Sequence, residues 1–220
     1  MIIVHHLENS RSQRVLWLLE ELGLPYEVKR YERDPKTMLA PPELYDIHKL
    51  GKSPVITENG ITVAETGAIL EYIRDTHGAG DLAVAPGSEQ ARDVSYWLHY
   101  AEGSAMNPLL MKLVFTQLPN RAPVLMKPLV KSVANKALTG FVDPRVAEHV
   151  SFWDGALEKT GWFAGDKMTL ADIMMSFPLE AVAARGGAAK KPNIAAFLER
   201  IHARPAWQRA LQRGGPYAYA

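Results

Sequence analysis

The chain has 220 residues and a mass of 24.4 kDa, with 47% hydrophobic, 9% aromatic and 22% charged side chains, the make-up of a globular protein able to bury a core. Its 25 Lys/Arg against 24 Asp/Glu leave a formal charge of +1, which argues against a nucleic-acid binder that works by neutralising many phosphates. It has no cysteine, which excludes disulfides, thiolate metal sites and a cysteine nucleophile.

In chain order, Met1 to His5 is a β-branched run suited to a buried strand. Ser10 and Ser12 then offer capping hydroxyls to a helix marked by Val15, Leu18, Leu19 and Leu22 and stopped by Gly23 and Pro25. Tyr26 to Tyr31 predicts a second strand, and Glu43 to Ile47 a single helical turn. Pro54 to Glu58 and Ile61 to Val63 flank Asn59-Gly60, a strong hairpin signal. Glu65 to Thr76 is helical again, closed by Gly78. The first half therefore reads β-α-β-α-β-β-α, a mixed α/β domain over 1–79. Residues 80–87 form a linker, and 88–220 reads as helices punctuated by glycine and proline, among them Gly140, Pro144 and Pro205. The halves differ in charge: residues 1–80 hold 9 Lys/Arg and 12 Asp/Glu, or −3, and the remainder 16 and 12, or +4. No apolar run nears the ~20 residues of a bilayer span, and the richest, Ile173 to Ala184, carries Glu180. The N-terminus lacks the basic start and apolar stretch of a signal peptide, so the expected location is the cytoplasm.

Three segments could carry chemistry. Asn9-Ser10-Arg11-Ser12 lies before a helix, whose free N–H groups and dipole favour an adjacent anion; a serine there can cap the helix or donate to that anion. Gly51-Lys52-Ser53-Pro54 enters the hairpin, where proline belongs in a turn or at an edge, and a cis bond at Pro54 would leave the Ser53 backbone free for another extended chain. Glu65-Thr66 opens the next helix; both suit its first turn, and a carboxylate beside a hydroxyl and free N–H groups also matches an α-amino-acid head group.

The order and spacing of these segments resemble the glutathione S-transferases end to end. Ser10-Arg11-Ser12-Gln13-Arg14-Val15, Trp17-Leu18-Leu19-Glu20-Glu21-Leu22-Gly23, Gly51-Lys52-Ser53-Pro54 and Glu65-Thr66-Gly67-Ala68-Ile69 are similar to the family's thioredoxin-like domain. Phe163-Ala164-Gly165-Asp166 with Thr169-Leu170-Ala171-Asp172 resembles its helical-domain capping box. The resemblance implies a thioredoxin-like N-terminal domain and an all-α C-terminal domain. It also implies glutathione as co-substrate with no metal, a homodimer, and a detoxification transferase acting on small hydrophobic electrophiles or organic hydroperoxides. A glutathione-dependent isomerase and a non-catalytic ligand carrier are the alternatives.

Residue by residue, the resemblance implies that Ser10 is the hydroxyl at the glutathione sulfur, with Asn9 and Ser12 as neighbours able to take its place. Ser53, before Pro54, would pair with the cysteinyl backbone; relatives mostly carry a β-branched or apolar residue there. Glu65 and Thr66 would hold the γ-glutamyl head, and Lys52 with His48 the glycyl carboxylate. Of the aromatic and methionine-rich segment after residue 95, Tyr100 and Met106 are the candidates for an apolar electrophile pocket. Seven histidines without metal-ligand spacing predict no metal site, and Arg200, Arg204, Arg209 and Arg213 read as a solvated basic face.

Overall fold

The computed structural model describes residues 1–187 and 190–219. β1 (Ile2–Leu7), α1 (Gln13–Glu21) and β2 (Tyr26–Tyr31) form a crossover unit in which β1 and β2 pair in parallel, from Ile2 opposite Tyr26 to Leu7 opposite Tyr31. β1 outlasts the β-branched run by two residues because that ladder continues through His6 and Leu7. α1 stops where Gly23 takes a φ of 62°, a left-handed turn that a side chain would strain. A 3₁₀ turn over Pro42–Asp46 stands where one helical turn is expected.

β3 (Val55–Glu58) and β4 (Ile61–Ala64) close a hairpin through Asn59 and Gly60, both at positive φ (48° and 80°), the backbone twist that two-residue hairpin loops favour. The sheet order is β2-β1-β3-β4, with β3 antiparallel to both β1 and β4. α2 (Thr66–His77) packs beside α1, so both lie on the sheet face that meets the helical domain. Within the expected linker, Gly80–Leu82 forms a further 3₁₀ turn that buries Leu82.

Ser88 starts the helical domain by accepting a hydrogen bond from the Ala91 amide (3.1 Å), which caps α3 (Glu89–Tyr100). α3 does not end before α4 (Met106–Arg121); the two are joined by a wide π turn over Ala101–Ala105. A second π turn, Leu138–Val142, joins α5 (Lys127–Ala137) to α6 (Asp143–Leu157). Each wide turn lies just ahead of a proline, Pro108 or Pro144, which has no N–H and crowds the carbonyl four residues back. Gly140 and Pro144, expected as breaks, thus widen a helix rather than end it.

α7 (Leu170–Ala183) runs through the centre, buried at every position from Leu170 to Val182. That accounts for its all-round apolar sequence, and no described helix is long and apolar enough to cross a membrane. Its start is fixed by the expected capping box: Asp172 accepts from the Thr169 amide (2.7 Å) and the Phe163 amide (2.9 Å), while Thr169 Oγ1 accepts from the Ala171 amide (3.2 Å). α8 (Pro192–His202) and α9 (Pro205–Gly214) complete the domain.

The expected solvated arginine face is instead largely a clasp between the halves. Arg204 grips Glu21 through two hydrogen bonds (2.5 and 2.8 Å), Arg209 meets Glu20 (2.7 Å), and Arg213 donates to the Tyr26 carbonyl (2.7 Å) with its guanidinium over the Tyr26 ring. Helical spacing alone gives the stripe but not the acidic edge of α1 that it faces.

Candidate active site

Two clefts meet at the C-terminal end of β1. The first, of about 180 Å³, gathers His48, Lys52, Ser53, Pro54, Glu65 and Thr66 on its walls. Arg11 and Glu102 close its far side. The peptide bond between Ser53 and Pro54 is cis. Just before it, Gly51 at φ 55° sits against the Tyr45 ring, so close that a Cβ would stand 2.7 Å from a ring carbon.

Ser53 has a structural task that its difference from the relatives did not suggest. Its hydroxyl donates to the His5 carbonyl (2.8 Å) and accepts from the Leu7 amide (3.2 Å). It therefore stands in for a strand backbone, extending the hold on β1 beyond the point where β3 pairing with Val55 ends.

Thr66 and Glu65 begin α2. Glu65 takes a φ of 71°, a conformation that costs a side-chain-bearing residue on the order of 1–3 kcal/mol, and its side chain does not cap the helix. Thr66 is buried, and its Oγ1 accepts from Arg14 Nη2 (3.2 Å), so its own O–H remains to donate towards the cleft. Arg14 is 1% exposed; it also donates to the Met174 carbonyl (2.7 Å) and pairs with Glu102 (2.5 Å). Glu102 in turn meets Arg11 (3.2 Å). Burial pulls the Arg14 pKa down while Glu102 holds it up. Glu102 sits in the first π turn, a kind of helix irregularity frequent at functional sites. Arg11, Lys52, Glu65 and Glu102 give the cleft both charge signs, which suits a ligand carrying an ammonium and carboxylates.

The second cleft, of about 220 Å³, shares Arg11 and Ser53 with the first and adds Asn9 and Ser10. Its apolar side comes from Met106, Leu109, Leu110 and Leu113 of α4 and Phe177 of α7. Tyr100, expected here, lines neither cleft. It lies inside the helical domain, hydrogen-bonded to His149 Nδ1 and accepting from Trp153 Nε1 (3.0 Å), and burial pushes its phenol up to about 12. Helical spacing gives no direction for a residue at a π turn, where the period changes by about one residue.

Neither serine caps α1; no side-chain cap bond is formed at Ser12, the residue preceding the helix. The hydroxyls instead form a buried chain: Ser10 Oγ lies 2.7 Å from Ser12 Oγ, which lies 2.8 Å from His6 Nδ1. The other side of the His6 ring faces the Gly214 backbone, and a hydrogen bond there raises the His6 pKa, as donation to a carbonyl does. Ser12 Oγ also lies 3.4 Å from the Leu7 carbonyl, and Ser10 Oγ accepts from the Ser12 amide (3.3 Å). Asn9, at φ 48°, uses its amide oxygen to accept from the Ala218 amide (2.7 Å).

Residues 1–75 match the family described as Glutathione S-transferase, N-terminal domain, and 117–205 match Glutathione S-transferase, C-terminal domain. The chain is 33% identical to Glutathione S-transferase 3 of Schizosaccharomyces pombe over 97% of its own length and 88% of that protein. It is also 33% identical to Glutathione S-transferase 1 of Saccharomyces cerevisiae over 91% of this chain and 90% of the relative. Among solved structures, a glutathione S-transferase from Actinobacillus pleuropneumoniae superposes with a TM-score of 0.82 at 30% identity, covering 99% of this chain and 94% of that one. This chain belongs to the glutathione S-transferase family. Its thioredoxin-like sheet domain and helical domain are those of the family's fold.

Proposed function

We propose that this chain, a glutathione transferase by family, holds glutathione in the first cleft and a small hydrophobic electrophile in the second. Glu65 and Thr66 take the γ-glutamyl head, His48 and Lys52 the glycyl carboxylate, and the Ser53 backbone the cysteinyl unit. The observation that carries the reading is the shared border: Ser53 and Arg11 line both clefts, and Ser10, next to Arg11 in the chain, lines the second. A sulfur beside Ser53 would stand at the floor of the apolar cleft, which supplies proximity.

Ser10 is the activating hydroxyl. Its oxygen is polarised by the Ser12 amide, and turning its proton to the sulfur gives a thiolate its donor without moving a heavy atom. A free thiol titrates near pH 8.5, and each unit of lowering is about 1.4 kcal/mol of preference for the thiolate. Asn9 lies beside Ser10 but its amide oxygen holds the C-terminal segment. The thiolate sulfur then attacks electrophilic carbon or the oxygen of an organic hydroperoxide.

A cytoplasmic detoxification enzyme acting as a homodimer completes the proposal. Opposite net charges on the two halves, −3 and +4, support a head-to-tail pairing. So does the exposure of Leu129 and Val133 on α5, apolar side chains that a partner would cover. Sedimentation at micromolar concentration should give twice 24.4 kDa, and a monomer would refute the pairing. Assays of aryl halides, isothiocyanates, epoxides and hydroperoxides with glutathione test the activity, and turnover of a cis-diene alone would replace transferase by isomerase.

A further inference from the structure

The second cleft is lined by apolar and cationic side chains together. Arg11, Arg33 and Arg185 stand on its rim, and no Asp or Glu lines it among the described residues. They come from three separate places in the chain: the β1–α1 loop, the segment after β2, and the end of α7. Arg11 already shares Glu102. Arg33 is steered by its own loop, its amide donating to Glu8 Oε1 (2.8 Å) and its Nη1 to the Met38 carbonyl (3.1 Å). Neither the Arg33 nor the Arg185 guanidinium forms an ion pair among the described residues.

Guanidinium groups without ion-pair partners, Arg33 and Arg185, share this cleft with Met106, Leu109 and Phe177, so the site offers both apolar surface and free positive charge. A neutral hydrophobe would use the apolar surface and leave the charge idle. An anion on an apolar body uses both, and a planar carboxylate fits the guanidinium fork. We infer that the preferred electrophile of this cleft is an apolar molecule bearing an anionic group such as a carboxylate or sulfonate, held by Arg33 and Arg185. The inference rests on the assignment of the neighbouring cleft to glutathione. For an aryl chloride of this kind, the thiolate sulfur bonds to the ring carbon and chloride leaves with the C–Cl electron pair. The thiol proton goes to solvent.

Affinity separates this idea from differences in intrinsic reactivity. The probes are the S-(carboxy-nitrophenyl) conjugate of glutathione and its methyl ester, with glutathione itself as reference, titrated calorimetrically. The acid conjugate should bind about tenfold tighter than the ester, equivalent to ~1.4 kcal/mol, with an advantage that shrinks as salt is added. In the Arg33→Gln/Arg185→Gln variant the two should bind alike, and the double lysine variant should restore part of the preference. Equal affinities in the unaltered protein, or a tenfold preference that survives the double glutamine change, would overturn the inference while glutathione binding stands. If glutathione and both conjugates fail to bind, the glutathione assignment falls and this inference with it.

Discussion

Arg14 and Glu102 meet in an ion pair across the boundary between the halves, with Arg14 1% and Glu102 27% exposed. One end of that pair orients Thr66 and the other leads through Glu102 to Arg11, so the wall of the first cleft depends on a contact spanning both domains.

Arg14 is the more deeply buried partner, and Glu102 keeps Arg11 (3.2 Å) when Arg14 is removed. Arg14→Ala takes the donor from the Met174 carbonyl and Thr66 Oγ1 and should lower unfolding free energy by roughly 1–3 kcal/mol, measured by urea denaturation. It should also weaken glutathione binding, because Thr66 loses the bond that fixes its hydroxyl. Glu102→Gln keeps a hydrogen-bond acceptor but leaves the buried Arg14 charge without its anion, so it should cost at least as much.

His6 is 2% exposed, and burial with the nearby Arg30 charge depresses its pKa to about 4 against the Gly214 hydrogen bond that raises it. The unfolded chain takes up a proton near pH 6.5 that the folded chain refuses. The stability carried by neutral His6 is present above pH 6.5 and is lost as pH falls towards 4, by about 3 kcal/mol in all. Comparing the protein with His6→Gln isolates this contribution: the difference in unfolding free energy should shrink over that window. A difference independent of pH would show that His6 titrates normally.

Ser53→Ala removes the hydroxyl that serves the His5 carbonyl and the Leu7 amide. Stability should fall by roughly 1–3 kcal/mol, since both backbone groups are partly buried. Glutathione affinity should change little, because the role assigned to Ser53 in binding belongs to its backbone. A large loss of affinity at unchanged stability would place the side chain in the binding site.

Local signals located most of the first domain. Asn59-Gly60 marked the hairpin, Tyr26–Tyr31 was bounded by its own residues, and Thr169 with Asp172 marked the start of α7. These features are decided within a few residues of sequence. What the sequence concealed depends on long-range partners. The serines before α1 read as caps, but His6, on the strand six residues before Ser12, competes for the hydroxyl and wins it. Glu102 lies 88 positions from Arg14, so no spacing rule joins them. Arg33 and Arg185 share a cleft only because β2 and α7 end near each other. Tyr100 meets His149 and Trp153 of α6 rather than the cleft, a choice between helix faces that spacing does not make.

The central claim is that Ser10 holds the bound sulfur as a thiolate. Ultraviolet absorbance of enzyme-bound glutathione, titrated against pH in the protein and in Ser10→Ala, tests it most directly. Bound glutathione should be thiolate at neutral pH in the protein. In Ser10→Ala, glutathione should bind with similar affinity, with a thiol pKa higher by about one unit and turnover lower by about tenfold, as expected for a lost hydrogen bond of ~1.4 kcal/mol. Full thiolate signal and full turnover in Ser10→Ala, with both lost in Asn9→Ala, would contradict it and assign the activation to the amide.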